Sequence, residues 1–222
     1  MLLCYITDRK AFPGGEAQQR VALLQRIAEA ARAGVDYIQV REKDLSARRL
    51  EELVREIMSV VGDGGAASRL LVNGRTDVAL ASGADGVHLP SGELPPSEVR
   101  TLWMQCSQRL PVIGVSAHTT AEVRAAEAHG ADFVLLAPIF AKVQTGAAGI
   151  GLDALRMACA GAPAPPNTEA PPAPGRFPVL ALSGITMENA AQCMAAGAAG
   201  VAAIRMFQEG NLGETVRRLR GL

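Results

Sequence analysis

Four stretches of the chain repeat one arrangement of small, polar and apolar positions: "AGVDYIQV" (33–40), "SGADGVHL" (82–89), "HGADFVLL" (129–136) and "AGAAGVAA" (196–203). In each, a small residue or histidine precedes a glycine, a short polar or small step follows, and then comes a run suited to a strand. Glycine enters the left-handed conformation at a helix end with little steric cost. Each copy therefore predicts a helix end, a tight turn and a buried strand. Gly34, Gly83 and Gly130 are evenly spaced, with room between them for two strand–helix units rather than one. Four more apolar runs fall in those gaps: "LLCYIT" (2–7), "RLLVN" (69–73), "LPVIGVS" (110–116) and "FPVLALS" (177–183). Eight strands result.

Between the strands lie segments such as "EAQQRVALLQRIAEAARAG", "SARRLEELVREIMSVVG" and "TAEVRAAEAHG". Their apolar residues recur at helical spacing with charges opposite. Strict alternation of strand and helix implies a parallel sheet, and eight units close into an α/β (β/α)8 TIM barrel, here one domain over residues 1–222. One segment breaks the rhythm. "GAPAPPNTEAPPAPGR" (161–176) holds six of the 13 prolines and reads as a loop between helix 6 and strand 7, on the face away from chemistry.

Composition narrows the function classes. Lys plus Arg and Asp plus Glu number 22 each, so no basic surface for nucleic acid is expected and an anionic ligand must be gripped locally. Cys4, Cys106, Cys159 and Cys193 have no partner at metal-ligand spacing and read as free thiols of a reducing compartment. The apolar start "MLLCYI" lacks a basic flank and reads as a first strand, and no run has membrane-spanning length. A cytoplasmic protein is expected. Barrels of this size often pair, so a homodimer is compatible with the sequence.

Sites of such barrels lie at the C-terminal ends of the strands. Thr7 and Asp8 follow strand 1. Gln39, Arg41 and Lys43 alternate along and beyond strand 2, which predicts that all three point to the mouth as donors suited to a phosphate or diphosphate. Asn73 ends strand 3; strand 4 gives His88, then Ser91 and Glu93; Ser116 and His118 end strand 5. Pro138, Phe140 and Lys142 follow strand 6, and Ile204 and Arg205 close strand 8. After strand 7, "SGIT" supplies Ser183 and Gly184. Thr186 is expected to open a helix whose dipole favours an anion. Two donor groups on opposite sides of one mouth suit two phosphorylated ligands, or one with phosphates at both ends. His88 and His118 are candidate acid–base groups.

With these positions in order, the chain resembles the thiamine phosphate synthase/TenI superfamily. The likeness runs from "YITDRK" through "IQVREKD", "VNGRTDVALASGADGVHLPSGELP", "IGVSAHT", "GADFVLLAPIF" and "LALSGIT" to "AGAAGVAAI". It implies an enzyme of thiamine biosynthesis. In the synthase, a pyrimidine methyl diphosphate loses diphosphate to a carbocation-like species that a thiazole phosphate nitrogen captures, with magnesium bridging the leaving group. Gln39, Arg41 and Lys43 match the diphosphate-binding run, Asn73 and Ser116 match pyrimidine-side residues, and Gly184 matches the thiazole-phosphate glycine.

The departures matter as much. Gly74 stands where the synthase has a magnesium-binding Asp, and Glu93 aligns with the second metal ligand. Lys142, Val143, Gln144 and Thr145 replace a Thr-Pro-Thr-Lys lid, with Lys142 as the substitute for its lysine. Arg205 replaces the serine of the strand-8 phosphate site. "NGR" with "LPSG" is similar to the TenI branch, in which the same pocket aromatises a thiazole carboxylate phosphate without metal. That branch's histidine after strand 6 is Pro138 here, which leaves His118 or His88 as the base, with Ser116 beside them. The resemblance thus implies first a thiazole tautomerase-like isomerase. Its alternatives are a thiamine phosphate synthase with Mg2+ held by Glu93, and a non-catalytic binder of a thiamine precursor.

Overall fold

A computed structural model describes residues 1–63, 67–141, 148–160 and 177–222. Eight parallel strands close in sequence order, the last pairing with the first. They are β1 (Leu2–Ile6), β2 (Tyr37–Val40), β3 (Arg69–Asn73), β4 (Gly86–Leu89), β5 (Val112–Ala117), β6 (Phe133–Leu136), β7 (Val179–Leu182) and β8 (Gly200–Ala203). Around them lie α1 (Glu16–Ala33), α2 (Ala47–Asp63), α3 (Thr76–Ser82), α4 (Pro96–Cys106), α5 (Thr120–Ala128), α6 (Gly151–Cys159), α7 (Ala190–Ala195), α8 (Arg205–Gln208) and α9 (Leu212–Arg220). The (β/α)8 barrel expected from the alternation is therefore the observed fold. The proline-rich stretch 161–176 lies outside the described residues.

The strand period of two sorts the core into two layers. Cys4, Ile6, Leu71, Phe133, Leu135, Leu180 and Ala202 fill the barrel interior. Tyr37 stacks on Phe133 there, with ring centroids 4.6 Å apart. Outward residues such as Leu3, Ile38, Leu70 and Val134 join the apolar stripes of the helices in a larger cluster. Each fully buried Leu or Ile contributes about 1.5–3 kcal/mol over its exposed state.

The repeat also has a function on the lower face. Asp36, Asp85 and Asp132 each follow the helix-ending glycine by two residues, and each carboxylate accepts the backbone N–H of the second residue of the preceding strand. The distances are 2.7 Å to Leu3, 2.9 Å to Leu70 and 2.7 Å to Ile113. Arg220, Arg69 and Arg100 pair with the same three carboxylates. The fourth copy has Ala199 at this position and lacks the latch. Such groups at the lower face bear on stability rather than chemistry.

Candidate active site

Strand register brings the expected residues to one mouth. Gln39 pairs with Ile6 of β1 and Leu71 of β3, Asn73 with His88, and His88 with Gly114. Gln39 is buried, and its Nε2 donates to Asn73 Oδ1 at 2.7 Å. Its Oε1 has no hydrogen-bond partner among the described residues. His88 Nε2 lies 2.9 Å from Ser116 Oγ. An amide pair and an imidazole–hydroxyl pair thus sit side by side above the apolar interior.

Strand 2 ends at Val40, so Arg41 and Lys43 stand on the loop that follows rather than within the strand. Arg41 is half-buried and close enough to His88 for its charge to act on the ring; Lys43 is exposed. Under this loop lies a network absent from the sequence reading. Arg9 donates to Glu42 at 3.1 Å and to both oxygens of Asp44 at 2.6 and 2.7 Å. The Arg9 and Glu42 side chains are 6% and 2% exposed. Thr7 Oγ1 donates to Glu42 at 2.6 Å and accepts the Arg41 backbone N–H at 3.0 Å. The Arg9 guanidinium holds the Asp44 carboxyl well below the usual carboxylate range. Alternation carries the signal: if Arg41 and Lys43 face the mouth, Glu42 and Asp44 face away, and Arg9 after β1 is the cation that meets them.

The two histidines differ sharply. His88 is 1% exposed, and burial first, then the charge of Arg41, pushes its pKa down to about 3. It stays neutral at physiological pH and is a poor proton acceptor, which does not suit the acid–base role expected of it. His118 is exposed at the end of β5. Its Nδ1 lies 2.7 Å from the Ala137 carbonyl, which can only accept, so that nitrogen carries the proton. Glu122 accepts the His118 backbone N–H.

The "SGIT" turn is built differently from the expectation. Ser183 and Gly184 are consecutive left-handed residues, with φ of +80° and +68°. A Cβ at position 184 would stand 2.7 Å from Phe140 Cβ, so only glycine fits. A serine held in this region is strained, as functional turns often are. The helix, however, begins at Ala190 and not at Thr186. Asn189 closes the turn, accepting the Thr186 N–H at 2.8 Å and donating to the Gly184 carbonyl at 2.9 Å. The dipole contribution expected of Thr186 is therefore absent. At β8 a helix does start directly: Ile204 is the N-cap residue of the four-residue α8, and Arg205 is exposed.

Glu93 lies on the exposed loop after β4, and partial burial raises its pKa. Its Oε1 is 3.6 Å from the point where a Cβ at position 74 would stand. The carboxylate therefore occupies the neighbourhood that a strand-3 aspartate would share. Among the described residues no three His, Cys, Asp or Glu gather as a metal site. Glu42 and Asp44 are bound to Arg9, and Asp77 to Arg75. Lys142 lies outside the described residues.

The comparisons with known proteins point to one family. Residues 3–207 match the family model described as thiamine monophosphate synthase. The thiamine-phosphate synthase of Moorella thermoacetica is 38% identical over 200 residues, covering 89% of this chain and 86% of that protein. That of Methanoculleus marisnigri is 38% identical over 197 residues, covering 86% and 83%. The solved thiamine phosphate pyrophosphorylase of Pyrococcus furiosus superposes with a TM-score of 0.75 at 27% identity, covering 99% of this chain and 94% of that one. Among the described residues no helix is long and apolar enough to cross a membrane. The relatives favour the transferase over the tautomerase that the sequence put first. By family match, identity and fold together, this chain belongs to the thiamine-phosphate synthase family of enzymes.

Proposed function

We propose that the chain is a cytoplasmic thiamine-phosphate synthase that joins a pyrimidine methyl diphosphate to a thiazole phosphate and releases diphosphate. The observation that carries this reading is the mouth floor, where Gln39–Asn73 and His88–Ser116 lie side by side beside Arg41. A flat polar heterocycle suits the floor and its diphosphate suits Arg41 and Lys43, while the Ser183–Gly184 turn across the barrel takes the second phosphate. The C–O bond of the pyrimidine methylene breaks, and its electron pair leaves with diphosphate. The thiazole nitrogen lone pair forms the new C–N bond and becomes the thiazolium nitrogen. No proton needs to move, so the reaction makes no demand on a base. A tautomerase would make that demand, and the buried, neutral His88 answers it poorly.

Magnesium, implied by this reading, fits the donor set as an ion anchored by one carboxylate, Glu93, with diphosphate oxygens as its remaining hard ligands. When bound, the ion would neutralise charge on the leaving group. This chain's own part is to hold the diphosphate through Arg41 and Lys43 and to keep the floor dry.

The deciding assay combines purified protein, the pyrimidine diphosphate, thiazole phosphate and magnesium, with and without chelator. Thiamine phosphate that forms with magnesium and disappears with chelator is expected, and Arg41→Ala is expected to lower kcat/KM by about 100-fold, the scale of a lost charge-assisted contact. No product under any condition would end the proposal. Gly74→Asp adds a carboxylate beside Glu93 in ordinary van der Waals space, at a φ of +65° that aspartate tolerates. It is expected to lower the magnesium concentration for half-maximal rate about tenfold, and Glu93→Gln to raise it. Magnesium titration of the three proteins reads both shifts, and unchanged curves would remove Glu93 from the metal's surroundings.

A further inference from the structure

His88 and Ser116 are 2.9 Å apart, a distance that allows the hydrogen to run either way. The other ring nitrogen decides the direction. Nδ1 is buried and has no hydrogen-bond partner among the described residues. A Cβ at position 114 would stand 2.7 Å from Nδ1 and 2.4 Å from Phe133 Cζ, so the ring is packed against the bare glycine backbone and an aromatic edge. A proton on Nδ1 would leave a buried donor facing apolar atoms, at a cost of about 1–3 kcal/mol. A bare lone pair there is the cheaper choice, because orphaned N–H groups are rarer in proteins than under-used acceptors. The proton therefore belongs on Nε2.

From this we infer that His88 is a positioning residue: it donates its Nε2–H to Ser116 Oγ and so leaves the serine hydroxyl hydrogen free to point at a ring nitrogen of the pyrimidine substrate. The identity of that substrate rests on the synthase reading above; the proton's place on the ring does not. The arrangement also excludes a nucleophilic serine. Activation of Ser116 would need a lone pair on Nε2, a proton on Nδ1 and a third group to orient it. Among the described residues Nδ1 has no such group. Gly114 is part of the device, because any side chain there would collide with the imidazole.

The test begins with long-range nitrogen–proton NMR on the full 15N-labelled chain at pH 7. With 3 histidines, the His88→Gln variant assigns the signals. A pyrrole-type Nε2 and a pyridine-type Nδ1 are expected; a proton on Nδ1, or on both nitrogens, overturns the inference. Kinetics supply the second readout, on variants whose melts show them folded. His88→Gln keeps a donor and is expected to stay within about threefold of wild type in KM for the pyrimidine diphosphate. His88→Met offers none and is expected to raise that KM about tenfold, about 1.4 kcal/mol, with KM for thiazole phosphate unmoved. Adding Ser116→Ala to His88→Met is expected to cost nothing more. Equal losses in the Gln and Met variants, or a parallel loss for thiazole phosphate, would reduce His88 to packing. A wild-type protein that makes no thiamine phosphate would fail the synthase reading and leave the NMR result standing.

Discussion

Replacing Glu42 with alanine is expected to destabilise the barrel by about 3–5 kcal/mol, because it strips a buried cation of its buried partner and leaves it only the partly exposed Asp44. For a chain of this length that lowers Tm by about 6–20 °C. Glu42 accepts from the Arg9 backbone and guanidinium and from Thr7 Oγ1, so its loss leaves donors from two residues unmet. Asp44 still holds the outer edge of Arg9 at 2.6 and 2.7 Å but is partly exposed, which screens its contribution. Glu42→Gln retains an acceptor for Thr7 and is expected to fall between wild type and alanine. The network also reaches the site, since Thr7 Oγ1 binds the Arg41 backbone N–H as well as Glu42. The alanine variant is thus expected to bind the pyrimidine diphosphate more weakly even where it remains folded. A calorimetric Tm within about 2 °C of wild type would show that the pair contributes no net stability, as some buried ion pairs do.

What could be foreseen follows from which forces are local. The helix-ending glycines and the alternation of strands with amphipathic helices are written in consecutive residues, and they sufficed for the barrel. The strand ends name Gln39, Asn73, His88 and Ser116 as mouth candidates, and strand register carries them to neighbouring positions there. The Arg9–Glu42 pair escaped because its partners are separated by a whole strand–helix unit, and "EKD" alone looks like a solvated loop. Asp36, Asp85 and Asp132 were visible as a polar step in the repeat, yet their targets lie on neighbouring strands. Thr186 misled for a different reason. A Ser-Gly-x-Thr sequence looks like a helix start, but two left-handed residues and Asn189 shape a turn first. His88 offers itself in the sequence as an acid–base candidate because position along the chain gives the strand end and not the depth below the mouth.

That depth has a consequence for stability against pH. In the unfolded chain His88 titrates near its ordinary value of 6.5; in the fold its pKa is about 3, because burial and the facing charge of Arg41 disfavour the imidazolium. Above pH 6.5 the ring is neutral in both states and its contribution to stability is complete. As pH falls from 6.5 toward 3 the unfolded chain takes up a proton that the folded chain refuses, so stability falls with pH through that window. At one pKa unit per 1.36 kcal/mol, the loss between pH 7 and pH 4.5 is about 2–3 kcal/mol. The carboxyls of Asp44, Asp77 and Glu56 are held below their usual range by Arg9, Arg75 and Arg20. Their contributions are present above the ordinary carboxylate range, near pH 4, and are lost only as pH falls through it, which leaves the upper window to His88 and, with the opposite sign, to Glu93, whose pKa burial raises. Urea unfolding at a series of pH values reads this directly, and His88→Gln, which removes the titrating group, is expected to flatten the slope between pH 6.5 and 4.5. Identical slopes in the two proteins would mean that the ring gains its proton in the folded state as readily as in the unfolded one, and that the floor of the mouth is wetter than the packing of Gly114 and Phe133 around His88 implies.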